Sequence, residues 1–359
     1  MDVFEGFNFN TSIPNSPLFF EKGGERLKVN LTINESLQKY IQHLLRHSQT
    51  IKAAVVVMNP NDGRILAMTN YQKIDGAPSN FCLQANFPAA SIIKIITAAA
   101  AIEKAGYTPG RKVFFRGRRY TLYKYQLNDK KSRYDTKLSF SKAFAFSINP
   151  VFGKLGIYDL GHDIIAEYAG KFFFNMQIPF DLPVAVSTLN IPEDAFGLAE
   201  LASGFNKETL ISPLHAALLA SSVANYGMCM VPRLTEDITD ESGKIIYKCQ
   251  PKMLESPINK GTAKNLKDLM HQTILYGTCR RAFRNLLRKK KFKKITIGGK
   301  TGTINDRANI FKFDWTVAYM IPQDRSKSIA VAVLSIHGKK LGIRASMLAS
   351  SIINNYVKN

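Results

Sequence analysis

A short apolar run, a cluster of turn residues and a second extended segment follow one another near the start of the chain. Residues 53–58 form a run rich in β-branched side chains, residues 59–63 are Asn-Pro-Asn-Asp-Gly, and residues 64–69 resume an extended pattern. β-Branched residues favour strands, whereas Asn, Pro, Asp and Gly favour turns. The pattern predicts a β-hairpin.

Three further strands and a final helix are predicted near the other end. The segments are 294–301, 315–321 and 329–336 for the strands and 341–357 for the helix. The segment 329–336 is almost wholly apolar, which is typical of a strand covered on both faces. We therefore expect it to be central in its sheet.

A helix is predicted between residue 32 and residue 48. Thr32 and Glu35 have the spacing of a capping box. Apolar residues recur on one helical face after it: Leu37, Ile41, Leu44 and Leu45. Residues 1–27 are rich in Asn, Pro and Phe, and we expect them to form an extended N-terminal leader.

Apolar residues between about 86 and 290 mostly follow helical spacing, as in 98–102 and 214–223. Two strands at the start and three at the end then form one five-stranded sheet whose faces need helical cover. The predicted fold is α/β (α+β), with the sheet part in residues 28–85 and 291–359 and a mainly helical insertion at about 86–290. We expect the chemistry in the cleft between these two parts.

Composition and charge narrow the function classes. With 45% hydrophobic and 21% charged residues the chain is a globular protein, and its longest apolar stretch is far shorter than the roughly 18 residues that cross a membrane. The net charge of +22 favours polyanions as partners. The first ten residues lack the features of a secretion signal, so if the protein works outside the cytoplasm, its export signal or anchor has been lost or lies elsewhere.

A zinc site is not expected, and a small scaffold held together by disulfides is excluded, but the sequence leaves the redox state of the cysteines open. The four cysteines are too few for a disulfide scaffold and are widely spaced: Cys82, Cys229, Cys249 and Cys279. His43 and His47 stand four apart, but position 44 is Leu where a zinc protease needs Glu, so a pair on a helix surface is the better interpretation. The sequence predicts neither a metal nor a cofactor.

Ser91 and Lys94 are the first candidate catalytic residues along the chain. Pro88 and Gly106 mark the start and the end of a predicted helix, and a spacing of three places both side chains on one face. A serine nucleophile needs a base within hydrogen-bond reach, and the helix N-terminus stabilises a developing alkoxide. Ser-x-x-Lys alone is common by chance.

Two later segments add to this pair. Ser147 and Asn149, just before Pro150, offer a hydroxyl and an amide. The segment 300–303, Lys-Thr-Gly-Thr, comes at the end of a predicted strand after two glycines, where small residues permit a close backbone approach. A peptide could pair with that strand edge while hydroxyl groups and a positive charge meet a carboxylate or an oxyanion.

The chain thus has three motifs in order: Ser91-x-x-Lys94, Ser147-x-Asn149 and Lys300-Thr301-Gly302. Together they resemble the motifs of the penicillin-binding protein and serine β-lactamase superfamily. The resemblance covers about residues 28 to 357 and includes Val55 to Met68, Ile211 to Leu214 and the Asn225-Tyr226-Gly227 stretch. It implies a five-stranded antiparallel sheet and a transpeptidase domain over residues 28–359. The expected activity is that of a serine D,D-transpeptidase, which cross-links peptidoglycan stem peptides ending in D-alanyl-D-alanine and is acylated by β-lactams.

The resemblance also implies roles for individual residues. Ser91 is the acylated nucleophile and Lys94 its base, while Ser147, helped by Lys300, passes a proton to the leaving group. Asn149 holds the substrate amide. Residues 300–303, which we call the strand motif, bind the terminal carboxylate of the substrate through Thr301 and Thr303. Gly302 lies between them in the substrate-binding segment. The N–H groups of Ser91 and Thr303 form the oxyanion hole.

Three other functions stay open: a serine β-lactamase, a D,D-carboxypeptidase and a catalytically silent penicillin-binding sensor or scaffold. The basic runs 111–119 and 280–294 are interpreted first as solvated surface and second as contacts to an anionic membrane or cell-wall surface. No nucleic-acid recognition motif accompanies them. The expected location is the cell envelope, at the outer face of the cytoplasmic membrane.

Overall fold

The structure is a computed structural model that describes residue 13, residues 16–73 and residues 79–358. The strands are β1 (Leu18–Lys22), β2 (Glu25–Leu31), β3 (Lys52–Met58), β4 (Ile65–Gln72), β5 (Phe87–Pro88), β6 (Lys112–Phe115), β7 (Thr136–Ser139), β8 (Leu210–Ile211), β9 (Cys229–Met230), β10 (Thr235–Thr239), β11 (Ile245–Lys248), β12 (Met253–Glu255), β13 (Thr296–Asn305), β14 (Lys312–Ile321) and β15 (Ile329–His337). The helices are α1 (Glu35–Arg46), α2 (Lys94–Lys104), α3 (Phe140–Ala145), α4 (Asn149–Lys154), α5 (Gly161–Lys171), α6 (Ala195–Ser203), α7 (Pro213–Ala224), α8 (Lys260–Leu275), α9 (Arg280–Leu287) and α10 (Ala345–Tyr356).

A five-stranded antiparallel sheet in the order β13-β14-β15-β3-β4 forms the centre of the fold. The predicted hairpin is confirmed as β3 and β4, which pair across the turn at residues 59–63. The apolar strand β15 is the middle strand and is buried along its whole length, as predicted. The strand β13 lies at the edge.

Helices cover both faces of the sheet because successive side chains of a strand point to opposite sides. On one face Val55, Val331 and Val333 pack with α1, α9 and α10. On the other face Val56, Val317 and Ala332 belong to the core that includes α2 and α7. The predicted sheet with helical cover is confirmed.

The region between β4 and β13 is mainly helical, as its apolar spacing indicates, and includes α2 to α9 with short strand pairs between them. The helix α2 is buried on all sides from Lys94 to Ile102. A helix that is apolar around its whole circumference belongs in the interior. Its N-terminus reaches the sheet beside β13, which places the first turn of α2 next to an edge strand.

The N-terminal residues form structure that the sequence did not predict. β1 and β2 make a hairpin, and β2 also pairs with β10, so that a second sheet has the order β1-β2-β10-β11. Residues 18–27 are therefore strands and a turn in place of the expected extended leader. Most of the remaining leader, residues 1–12 and 14–15, lies outside the described residues.

The capping box predicted for α1 is wrong. The N-cap is Asn34, whose side-chain oxygen accepts a hydrogen bond from the Leu37 N–H at 2.9 Å. The Thr32 hydroxyl donates to the carbonyl groups of Ile65 and Arg233. Thr32 thus joins β2 to the sheet region, and the helix ends at Arg46, two residues before the predicted end.

Over the described part of the chain, no helix is both long enough and apolar enough to span a bilayer.

Candidate active site

Ser91 lies at the start of the helical segment that leads into α2. A 3-10 turn, Ala90–Ile93, precedes α2, and Ala90 has a left-handed φ of +48°. Non-glycine residues in this conformation cost of order 1–3 kcal/mol and are held by their surroundings. Here the Ala89 N–H donates to Thr209 O at 2.8 Å, and the Trp315 indole donates to Pro88 O at 2.8 Å. The turn that presents Ser91 is fixed from two sides.

Lys94 is buried, and its Nζ contacts three oxygens. It lies 2.8 Å from Ser91 Oγ, 2.8 Å from Asn149 Oδ1, and also within hydrogen-bond distance of Ser203 O. The oxygens of Asn149 and Ser203 can only accept. A neutral amine has two N–H groups and one lone pair, so donation to these two leaves the lone pair for the Ser91 hydroxyl.

The electrostatics favour this neutral form. Burial first, and the positive charge of Lys300 second, hold the pKa of Lys94 well below its ordinary value. Burial disfavours the charged form because the ammonium loses its hydration, and a like charge adds to this effect. Lys94 is thus suited to act as a base at neutral pH, and the predicted Ser91 and Lys94 pair is brought together as expected.

Gly204 fixes the position of the Ser203 carbonyl next to Lys94. It follows α6 with a left-handed φ of +63°. A Cβ built on it would lie 2.1 Å from Ala90 O, closer than atoms approach. Only glycine allows the end of α6 to pack on the turn that carries Ser91.

Ser147 lies between α3 and α4, and Asn149 is the first residue of α4. Ser147 has a φ of +55°, which turns the chain sharply before Pro150. The Asn149 amide is engaged at both ends, since its Oδ1 accepts from Lys94 and its Nδ2 donates to Tyr120 O at 3.1 Å. Asn149 therefore holds Lys94 in place.

Lys300 is the second buried lysine of the site. Its Nζ donates to Ser147 Oγ and to Thr301 O, both at 2.8 Å, and it lies 5.6 Å from the centre of the Phe144 ring. Burial lowers its pKa to about 7. The site therefore contains two serine–lysine pairs, one across the junction of the 3-10 turn and α2 and one that joins β13 to the segment before α4.

The strand motif runs along the middle of β13, and not at its end as predicted. Gly302 faces the turn of Ser91, because a Cβ there would lie 3.1 Å from the Ser91 nitrogen. The hydroxyl groups of Thr301 and Thr278 are 2.5 Å apart. Because Gly302 has no side chain, the backbone of β13 can lie directly against the turn of Ser91.

Asp314 is a residue of the site that the sequence did not indicate. It is paired with Thr303 across β13 and β14, and its Oδ1 accepts a hydrogen bond from the Thr303 hydroxyl at 3.2 Å. Its Oδ2 accepts from the Ala345 N–H at 3.1 Å, and Arg344 lies 4.0 Å away. Such a partner becomes visible only when the strand register is known.

The structure shows no metal centre within its described ranges, where no three His, Cys, Asp or Glu side chains are grouped to hold an ion. The rings of His43 and His47 lie 4.3 Å apart, and His47 Nδ1 is 2.8 Å from His43 O. The four cysteines are free thiols. All eight sequence-predicted site residues lie on two short segments and one strand around Ser91.

Comparison with known proteins identifies related sequences. A family model described as the penicillin binding protein transpeptidase domain matches residues 53–354. The peptidoglycan D,D-transpeptidase PbpA of Mycolicibacterium smegmatis is 26% identical over 339 residues, which cover 84% of this chain and 65% of that protein. MrdA of Haemophilus influenzae, also named a peptidoglycan D,D-transpeptidase, is 24% identical over 92% of this chain and 56% of its own length.

Solved structures share the fold. A crystal structure of PBPA from Mycobacterium tuberculosis has a TM-score of 0.74 at 23% identity, covering 92% of this chain and 80% of that one. Penicillin-binding protein 2B of Streptococcus pneumoniae gives 0.74 at 19% identity, covering 92% of this chain and 60% of that one. The chain thus spans somewhat less than two thirds of the M. smegmatis protein and has the same fold as these structures.

Proposed function

This chain belongs to the family of penicillin-binding protein transpeptidase domains, and on that premise we propose that it is a serine D,D-transpeptidase that cross-links peptidoglycan stem peptides. One observation carries the proposal. Two buried lysines, Lys94 beside the edge strand β13 and Lys300 on that strand, are each bonded to a serine hydroxyl and each have a lowered pKa.

Acylation begins at Ser91. Neutral Lys94 takes the hydroxyl proton as Ser91 Oγ attacks the carbonyl of the penultimate D-alanine. The N–H groups of Ser91 and Thr303 stabilise the oxyanion, since fixed donors in a site that excludes water require little reorganisation. Loss of the C–N bond then releases D-alanine, whose nitrogen receives a proton through Ser147 and Lys300.

The second half reverses these roles. An amine from a second stem peptide attacks the ester carbon and gives its proton to the Ser147 and Lys300 pair, which lost one to D-alanine. The C–O bond to Ser91 then breaks, and Ser91 takes its proton back from Lys94. The strand segment, Thr301 to Thr303, takes the terminal carboxylate of the donor peptide. Asn149 Nδ2 donates to Tyr120 O, so Asn149 holds the donor's amide group only after this hydrogen bond breaks.

The contacts of the site favour this function over a β-lactamase. Within the described residues, no hydrogen bond or ion pair of Ser91, Lys94, Ser147 or Lys300 involves a carboxylate. Glu103, the acid next along the chain from the nucleophile, binds the Tyr168 hydroxyl and the Asn259 N–H. A hydrolytic enzyme needs a base for water in its deacylation step.

Labelling with a fluorescent penicillin tests the proposal. The expected result is one covalent adduct, on the Ser91 peptide of a digest, as in the penicillin G acyl-enzyme complex solved for PBPA of M. tuberculosis. Lys94→Ala should abolish labelling, because its loss removes the base. The control Ser242→Ala changes an exposed serine and should label normally. Label on another serine would refute the assignment.

The fate of the acyl group distinguishes a transpeptidase from a carboxypeptidase and from a silent sensor. With two stem pentapeptides as substrates, a transpeptidase forms a dimer and releases D-alanine, a carboxypeptidase releases D-alanine only, and a silent sensor does neither. We expect dimers because Ser91 is partly exposed beside the edge strand β13, where a second chain can approach it. D-Alanine release without dimers would favour the carboxypeptidase.

We further infer that the enzyme works at the outer face of the cytoplasmic membrane, in contact with anionic surfaces. No acidic residue occurs between residues 269 and 305, and the cations of 280–294 are all exposed on α9 and the segment after it. Anionic membranes attract such groups by about 1 kcal/mol each. Vesicles with phosphatidylglycerol should bind the protein at low salt and release it near 1 M salt; absence of binding at low salt would leave this run as ordinary surface.

A further inference from the structure

An exposed loop beside the active site presents tyrosine rings to solvent. We call residues 116–126 the tyrosine loop. Tyr120, Tyr123 and Tyr125 are 60%, 56% and 54% exposed, although large aromatic side chains usually bury most of their surface. The rings of Tyr123 and Tyr125 lie nearly parallel, at 13° with centroids 5.9 Å apart. Neighbouring exposed aromatic faces of this kind mark binding surfaces.

The tyrosine loop is held rigid from within by one buried side chain. Gln126 Nε2 donates to the carbonyl oxygens of Arg116 and Arg118, at 2.7 and 3.0 Å. Its Oε1 accepts from the Tyr123 N–H at 3.0 Å and from the Thr121 hydroxyl at 2.9 Å. All polar groups of this amide are therefore satisfied. The rings are presented by a preformed surface, which reduces the entropy that a ligand must overcome.

The loop is also joined directly to the catalytic segment. The Asn149 N–H donates to Arg119 O at 2.8 Å, and the Asn149 side chain donates to Tyr120 O. The Arg119 guanidinium lies 4.7 Å from the centre of the Phe146 ring, and Phe146 precedes Ser147. A ligand that extends from Ser91 past Asn149 therefore meets the tyrosine loop next.

Charge and chemistry indicate the class of ligand. No acidic residue occurs from 104 to 128, and Arg118, Arg119 and Lys124 are exposed, with no ion pair to any residue that the structure describes. The apolar C–H faces of sugar rings stack on flat aromatic rings, while guanidinium groups pair with carboxylates. An anionic glycopeptide combines both features, whereas a plain peptide does not need a pair of parallel rings.

We propose that the tyrosine loop binds the sugar rings of the glycan strand that carries the stem peptide. The inference rests on the proposed function, since it assigns the part of the same substrate that lies outside the acylation site. Tyr123 and Tyr125 provide the stacking surface, and Arg119 meets acidic groups between the sugar and the scissile bond. The enzyme thereby selects peptides attached to glycan over free peptides.

Two variants and three probes test this assignment. The double variant Tyr123→Ala/Tyr125→Ala removes both rings, and Tyr247→Ala removes a tyrosine of similar exposure, 49%, on β11. The probes are a fluorescent penicillin, a free stem pentapeptide and soluble uncross-linked glycan strands that carry pentapeptides. The double variant should react with penicillin at the wild-type rate within twofold, yet bind the strands about tenfold more weakly, the effect of two lost ring contacts.

Free pentapeptide should bind the double variant as it binds wild type, and Tyr247→Ala should match wild type with all three probes. Unchanged strand binding in the double variant would overturn the proposal, as would an equal loss for free pentapeptide, which would make the loop a peptide site. Failure of penicillin to acylate the wild type would refute the proposed function instead, because strand binding is measured without catalysis.

Discussion

Replacing Gly204 with Ala should disable acylation while the protein stays folded. Gly204 packs on the turn that carries the nucleophile, and an added Cβ would lie 2.1 Å from Ala90 O and 2.7 Å from Ile93 Cγ2. Ordinary contacts begin near 3.4 Å. The two backbones must therefore separate by about 1.3 Å, the difference between the two distances.

This separation acts on both partners of the reaction. Ala90 precedes Ser91, and Ser203, which precedes Gly204, accepts a hydrogen bond from Lys94. The shift therefore moves the nucleophile relative to its base. A displacement of about 1 Å from the reactive geometry can reduce a rate about 100-fold. We expect a loss of this size in the second-order rate constant of acylation by a fluorescent penicillin.

Gly106→Ala is the matched control. Gly106 has the same φ of +63° but no atom within 4 Å of a built Cβ. Both variants carry the cost of a left-handed alanine, roughly 1–2 kcal/mol, so thermal unfolding should show a loss in each. Only Gly204→Ala should lose acylation. If folded Gly204→Ala reacts within threefold of Gly106→Ala, the link between this contact and the reactive geometry is wrong.

Three further predictions concern charge and turnover. The pKa of Lys300 is about 7 in the folded protein and about 10.4 when unfolded, so the folded state binds fewer protons from pH 7 upward and the free energy of unfolding rises with pH. Urea unfolding at pH 7 and 8.5 should show a smaller rise for Lys300→Met than for wild type, and equal rises would contradict the assignment. Asp314→Asn should accelerate acylation by carboxylate-bearing β-lactams roughly two- to tenfold, because the Thr303 hydroxyl donates its single proton to the Asp314 carboxylate and a neutral amide oxygen is a weaker acceptor that competes less with the drug's carboxylate; a slower variant would show that Asp314 instead positions Thr303 productively. A chromogenic cephalosporin should give a burst of one equivalent and then almost no turnover, since no carboxylate contacts the two serine–lysine pairs in the described structure; steady turnover would establish a β-lactamase.

The elements that depend on local pattern could be predicted from the sequence. The hairpin of β3 and β4, the central position of β15 and the spacing of Ser91 and Lys94 follow from β-branching, turn residues and helical periodicity. Local rules also failed at one place, where Asn34 and not Thr32 caps α1. Both residue types favour the cap, and the bonds of Thr32 to distant carbonyl groups decide between them.

What could not be predicted depends on contacts between distant segments. β2 pairs with β10, about 200 residues further along the chain, and no local pattern indicates this partner. Asp314 enters the site through the register of β13 and β14. The Asn149 amide is hydrogen-bonded to Lys94 and Tyr120, whereas the resemblance implied an amide that binds substrate. These two bonds likewise depend on how three segments pack.

The edge position of β13 has a consequence for solubility. An edge strand with unpaired N–H and C=O groups can join the edge of another molecule, and proteins often prevent this with a charged residue that points inward from the strand. Part of β13 is already engaged, since His271 Nδ1 lies 2.7 Å from Ile297 O, and the segment around Gly302 must stay open if a peptide is to pair there. Lys300, buried in the middle of this strand, opposes a dry contact between two such edges whenever it is protonated. A methionine at this position would remove that protection together with the reactivity, and concentrated solutions of such a variant should associate through β13.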